Sequence, residues 1–263
     1  MNLISSILTK NPCYTAGRKI TVKGLMLHSI GTPQPSASVF VKNWNRIDFN
    51  SACVHGFIDG NTGDVYETLP WNHRGWHGGG SCNNTHIGVE MCEPSSIKYT
   101  SGANFIDNAS ANTKEVVLRT YQSAVELFAQ LCREYNLNPL APGVIVSHAE
   151  GYRLGIATNH SDPEHLWNKF GLSMDQFRQE VKNKMEEKDK TVTQEQWNQM
   201  YKNYLESLKN SPGSEWSKAG RQWCIEQKII IGDDKGNYQW QAPLTREAMC
   251  VMLYRFNQAL GKA

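Results

Sequence analysis

The chain has 263 residues, more than the roughly 100 to 200 expected of a single domain, so a main domain with a smaller appendage is the natural reading. With 40% apolar and 20% charged residues, it is neither a disordered nor a fibrous sequence. The net charge of +2 is too small to indicate a polyanion partner, so no nucleic acid is expected; the last third carries only a slight basic excess.

The N-terminus MNLISSILTKNPCYT has a short apolar stretch without a basic leader segment or a small-residue cleavage site. The expectation is a chain made in the cytoplasm without a signal peptide. The run 19–30, KITVKGLMLHSI, is β-branched and apolar, ends in His28, and is stopped by Gly31-Thr32-Pro33. The segment 36–46 has a Ser36 cap and apolar spacing suited to a short helix. Residues 54–70 read as two strands joined around Asn61-Thr62-Gly63, and 86–92 as another buried strand.

The stretch 113–137 places Val117, Tyr121, Ala124, Val125, Phe128, Leu131 and Cys132 on one helical stripe, with Thr113 as its cap. After Pro139 and Pro142, GVIVSH (143–148) is a strand ending in a second histidine, followed by a loop to about residue 167. Strands interleaved with helices indicate an α/β domain, a central and mostly mixed sheet flanked by helices, over residues 1–180. A charged stretch, 181–195, reads as a helix tail and linker. From 196 to 263 a small helical domain is expected, opened by Trp197, Met200, Tyr201, Tyr204, Leu205 and Leu208 at helical spacing. No apolar run of about 20 residues occurs, so no membrane insertion is expected.

Seven cysteines, an odd number with no CxxC pair, exclude a complete disulfide framework and fit reduced thiols. Cys53 and Cys92, near the expected sheet, are read as small buried hydrophobes. The run HGGGSC (77–82) lacks the Lys-Ser/Thr of a phosphate-cradling loop.

A single histidine at a strand end is ordinarily a hydrogen-bonded core residue, but His28 and His148 share that context. Catalytic zinc takes three protein ligands and leaves a fourth position to water. After His148 the segment AEGYRLGIATNHSDPEHLW offers His160, Asp162 and His165 as a third ligand, and spacing alone does not choose among them.

LMLHSIGTP around His28, VHGFID with WNHRGWHGGG (71–80), HIGVEMC around Glu90, and SHAEGY…NHSDPEHLW together resemble the zinc amidases of the type-2 N-acetylmuramoyl-L-alanine amidase and peptidoglycan-recognition superfamily. The resemblance covers roughly residues 15–172. It implies cleavage of the amide between N-acetylmuramic acid and the L-alanine of the stem peptide in bacterial peptidoglycan, as in phage endolysins acting on the wall after release. It further implies one Zn2+ held by His28, His148 and Asp162, with Glu90 handling the proton of the attacking water and His160 stabilising the oxyanion. His77 matches a position near the cleft rim; Trp76 and His77 are the candidate substrate contacts, and His55 is read as structural. His86 and His165 receive no role beyond surface or support. Some family members carry a catalytic Tyr where this chain has Val54. A non-catalytic wall-recognition module and a zinc peptidase acting within the stem peptide are the alternatives.

Residues 214–260 read as helix, turn, helix, with Trp216, Ala219, Trp223 and Cys224 on one face, a turn at Gly232–Gly236 and a second helix capped by Thr245. The pattern IIxGDxxGxYxWxxPLTRExMxxMLYRF resembles one S-layer-homology-like repeat. That likeness implies a secondary wall polymer as partner, with Tyr238, Trp240 and Arg246 as candidate contacts. Such repeats usually come in threes, so homo-oligomerisation could compensate by avidity.

Overall fold

The computed structural model describes residues 1–187, 193–209 and 211–261. The chain forms two compact units, Met1–Lys188 and Asp189–Ala263. In the first, the elements in order are β1 (Leu3–Ser5), α1 (Pro12–Thr15), β2 (Gly24–Ser29), α2 (Ala37–Trp44), β3 (Gly56–Ile58), β4 (Val65–Glu67), β5 (His86–Met91), β6 (Ile97–Ser101), β7 (Asn104–Asp107), α3 (Ser110–Glu134), β8 (Ile145–Ser147), α4 (His148–Arg153), α5 (Glu164–Trp167) and α6 (Met174–Glu186).

Six strands make one sheet in the order β1-β4-β3-β5-β2-β8. Only β3 and β4 pair antiparallel, which gives the expected mixed sheet. Their turn is fastened by Asp59, whose Oδ1 accepts from the backbone N–H of Asn61 (2.8 Å) and Thr62 (3.1 Å), and Gly63 takes the positive φ of 78° the reversal needs.

Side chains alternate across a strand, so each central strand supplies both faces. Leu25 and Leu27 of β2, Ile87 and Val89 of β5 and Ile145 of β8 join a core with Tyr121, Ala124, Leu127, Phe128 and Leu131 of α3 and Phe177 and Val181 of α6. On the other face Met26, Val146 and Cys82 form one small cluster, and Phe57 and Val54 pack with Ala37 and Phe40 of α2 in another. Both faces of the sheet are therefore covered, and His28, one residue past Leu27, falls on the face opposite α3.

Three local features differ from the sequence reading. Helix α3 begins at Ser110, and Thr113 lies within it, its hydroxyl donating to Asp107 Oδ1 at 2.6 Å. The segment before α3 is an antiparallel hairpin, β6 with β7. Helix α6 runs to Glu186 with Val181 fully buried, so the first six residues of the expected linker are helix, while 188–192 lie outside the described residues.

The second unit contains α7 (Gln194–Lys209), α8 (Lys218–Glu226) and α9 (Arg246–Leu260). Thr245 caps α9 by accepting the N–H of Ala248 at 3.1 Å, and Asp233 Oδ1 gathers the N–H groups of Lys235 and Asn237 to close the turn ending near Gly236. Tyr238 and Trp240 stack at 5.1 Å, with the Arg221 guanidinium 5.3 Å from the Trp240 ring centre. Arg246 opens α9 and is exposed. Ile229 is buried, whereas Trp216 is 89% exposed and Met249, Leu253 and Phe256 are also accessible.

Between β8 and α4 the chain passes directly from strand to helix through a capping box: Ser147 Oγ accepts the N–H of Glu150 (2.9 Å) and Glu150 Oε2 accepts the N–H of Ser147 (3.1 Å). Arg178 of α6 holds Glu150 from behind through two bonds of 2.8 and 3.1 Å. Ser147→Ala removes the cap and the hydroxyl bond to Glu164 (2.8 Å). It is expected to lower stability by about 1 kcal/mol, read as a lower urea midpoint at unchanged slope.

Candidate metal centre

Parallel pairing of β2 with β5 sets His28 directly across from Glu90, and pairing of β2 with β8 sets Leu27 across from Ser147. His28 and Glu90 thus share the face of the sheet away from α3. His148 is the first residue of α4 rather than the last of a strand, since the capping box at Ser147 starts the helix there. Asp162 arrives from the segment between α4 and α5.

These elements bring three donors together. His28 Nδ1 lies 3.0 Å from His148 Nδ1 and 3.3 Å from Asp162 Oδ2, and His148 Nδ1 is 3.6 Å from Asp162 Oδ1. Among the described residues, His28, His148 and Asp162 are the group whose donor atoms could hold a metal ion, all within 4.8 Å of one another and all three residues buried. Burial by itself would raise the Asp162 carboxyl, but hydrogen bonds with His148 and His28 outweigh it and hold the group well below the usual carboxylate range. Burial pushes His28 below its ordinary value. Two neutral imidazoles and one carboxylate are a donor set suited to catalytic zinc. The close approach of two imidazole nitrogens calls for a cation or proton between them.

The donors face a cleft of about 590 Å³ also lined by Glu90, His77, Tyr99, His160 and His165. Glu90 Oε2 is buried with no protein partner, and burial, reinforced by Asp162 and Glu93, raises its carboxyl well above the ordinary range. His160 is 59% exposed, stacks on His148 at 4.4 Å, and has Nδ1 3.8 Å from Asp162 Oδ1. It therefore stands beside the donor trio on the open side of the cleft.

His77 lines the same cleft, but both ring nitrogens are engaged: Nδ1 lies 3.0 Å from His28 Nε2 and Nε2 lies 3.1 Å from the His86 carbonyl oxygen. Trp76, the other expected substrate contact, is absent from this lining. It is 51% exposed over a separate hollow with Pro12, Arg18 and Phe49.

One cluster escaped sequence reasoning. Glu93, almost fully buried, accepts from Ser29 Oγ (2.7 Å), Gly31 N (3.2 Å) and Tyr99 OH (2.9 Å), while His165 Nε2 lies 2.7 Å from the same phenol oxygen. Burial, opposed by those hydrogen bonds, lifts Glu93 to about 7. Tyr99 comes from the hairpin, for which the alternation in IKYTS and the Ser101-Gly102 turn pair were the available signals. Nothing local marks Glu93, whose partners come from three separate segments.

His55 supports the floor of the site: Nδ1 accepts the N–H of Gly88 (3.0 Å) and Nε2 donates to the His73 carbonyl (2.8 Å). Burial lowers its pKa to about 4, only partly opposed by these backbone bonds. The unfolded state therefore binds a proton near pH 6.5 that the folded state refuses until about pH 4. Stability contributed by neutral His55 is full above pH 6.5 and falls through that window, by up to about 1.4 kcal/mol per pH unit. Urea unfolding of wild type and His55→Asn between pH 4.5 and 7 is expected to show a shallower pH dependence in the variant.

The family profile described as N-acetylmuramoyl-L-alanine amidase (Amidase_2) matches residues 17–165, which include the donor trio, Glu90 and His160. Among solved structures, Staphylococcus aureus hydrolase AmiA in complex with its ligand is 21% identical, the match covering 70% of this chain and 83% of that one with a TM-score of 0.53. The PlyG catalytic domain is 17% identical, with 71% of this chain and 96% of that one covered and a TM-score of 0.50. Comparison with curated protein sequences gives no match. Because the family profile spans more than half of its length, the chain belongs to the Amidase_2 family of N-acetylmuramoyl-L-alanine amidases.

Proposed function

We propose that the protein is a zinc-dependent peptidoglycan amidase that hydrolyses the bond between the lactyl group of N-acetylmuramic acid and the L-alanine of the stem peptide. The observation that carries this reading is the convergence of His28 Nδ1, His148 Nδ1 and the Asp162 carboxylate beside the unpartnered Glu90 carboxyl in one cleft. A binding module would need neither the metal donors nor a buried acid.

His28, His148 and Asp162 would hold the ion, which supplies Lewis-acid polarisation of the scissile carbonyl and lowers the pKa of water to about 7. Glu90 takes the proton of the attacking water at its free Oε2, and burial makes it a strong enough base for that task. His160, exposed at the mouth beside Asp162, meets the negative charge that develops on the carbonyl oxygen. The alanine amine leaves with the proton that Glu90 returns.

Lysis of a bacterial host is the setting we assign on the sequence resemblance to phage wall amidases alone. In the second unit, the stacked Tyr238 and Trp240 and the exposed Arg246 are suited to a wall polymer, with aromatic faces for sugar rings and a cation for anionic groups. Among the described residues no helix is long and apolar enough to cross a membrane.

Purified walls digested with the protein are expected to release free muramic-acid lactyl groups and new L-alanine amino termini, identified by mass spectrometry. Cleavage elsewhere in the stem would establish the peptidase reading instead. Glu90→Gln is expected to lower kcat by about 10²- to 10⁴-fold while zinc binding persists. Zinc at 100 times its Kd should stabilise the metal-free protein by about 2.7 kcal/mol, a gain that Asp162→Ala abolishes. Full activity after exhaustive chelation would remove zinc from the mechanism.

A further inference from the structure

We propose that Tyr99 is a substrate-positioning residue, whose phenol fixes the β6–β7 hairpin as a wall of the cleft in a set place relative to the metal donors. This rests on the reading of the cleft as a peptidoglycan site. The hairpin stands outside the six-stranded sheet, and two strands alone are at best marginally stable in water. Its place is therefore set by what fastens it. Tyr99, Gly102 and Ala103 line the same cleft as His28, His148 and Asp162, so the position of the hairpin bears directly on how substrate lies there.

The base of the hairpin is fastened to the body of the domain. Ile97 is buried in the core shared with α3. Asp107 joins Lys169 Nζ at 2.7 Å and the Thr113 hydroxyl at 2.6 Å, and the same Lys169 ammonium stands 5.9 Å from the centre of the Phe105 ring. The tip has no such support. Gly102 turns the chain with a φ of 55°, and a Cβ there would meet nothing within 4 Å.

Tyr99 lies between base and tip, opposite Phe105 across the hairpin, with the two ring centres 6.2 Å apart. Its hydroxyl is 2.9 Å from both Glu93 carboxylate oxygens and 2.7 Å from His165 Nε2. Both partners belong to segments that carry the site. Glu93 lies three residues beyond Glu90 and also accepts from Ser29 Oγ and Gly31 N, just past His28. His165 follows Asp162 by three residues. One phenol thus ties the wall to the ends of β2 and β5 and to the loop of the third donor, although neither it nor Glu93 takes part in the proton transfers assigned to Glu90. A wall acts on bound substrate and transition state alike, so loosening it is read in KM rather than in kcat.

The test is Tyr99→Phe, which keeps the ring on Phe105 and removes the hydroxyl alone. With the zinc-loaded full chain and a soluble muramoyl peptide, KM is expected to rise about 10-fold. Over the same series kcat changes by less than about twofold, and zinc affinity stays at the wild-type value. Hydrogen exchange is expected to quicken within residues 97–107 and nowhere else. Lys169→Met, at a residue outside the cleft lining, loosens the base and is expected to raise KM in the same direction, which keeps the idea open to refutation should Tyr99→Phe not fold. Unchanged KM in a folded variant, or a loss carried by kcat alone, overturns the role. A wild type that hydrolyses no muramoyl peptide would strike the proposed function and this role with it, whereas an active wild type with unchanged KM in the variants strikes this inference alone.

Discussion

The structure depends on one constraint, that two imidazole nitrogens and a carboxylate be held within 3.6 Å of one another away from bulk water. Desolvation opposes this assembly, and the attraction of both imidazoles to the Asp162 carboxylate offsets it only while rigid elements hold the three groups together. Parallel pairing of β5, β2 and β8 supplies that rigidity. It places His28 and Glu90 side by side and brings Ser147, the residue before His148, to the neighbouring edge. The apolar residues of these strands turn to the opposite face and lock against α3 and α6. The core thus anchors the strands whose other face carries the chemistry.

The second layer of support is polar. The capping box of Ser147 and Glu150, backed by Arg178, fixes where α4 starts and hence where His148 points. His55 ties the strand holding Gly88 to the loop at His73, and His77 lies on Gly88 beneath His28. On the other wall, Glu93 joins Ser29, Gly31, Tyr99 and through the phenol His165. Histidines with distinct tasks are therefore separated by their partners: backbone carbonyls and amides for His55, His77 and His86, the acidic group for His28 and His148, and solvent for His160.

The second unit has a different balance. Its turns and caps are well satisfied, as at Asp233 and Thr245, but its large apolar side chains are mostly accessible. A short helical unit buries too little apolar surface to draw stability from a core alone. Its order is carried by local hydrogen bonds and by ring contacts such as Tyr238 on Trp240 and Trp223 against Phe256.

The amino-acid sequence by itself determined what is periodic or local. The apolar stripe of α3 from Val117 to Cys132, the runs around His28 and Glu90, and the turn at Asn61-Thr62-Gly63 all form where their patterns placed them, because alternation, helical spacing and turn chemistry act over a few residues. His28, His148, Asp162, Glu90 and His160 were legible as candidates through their motifs. Only the tertiary structure decided which of His160, Asp162 and His165 stands with the two histidines, because residues 120 and 134 positions away from His28 meet it through sheet register and the course of one loop. The same holds for Trp76, turned to another hollow, and for His77, seated behind His28. Neighbours in sequence, they differ because one ring finds Gly88 and a carbonyl while the other finds solvent, and that difference exists only once the strand and the loop have packed.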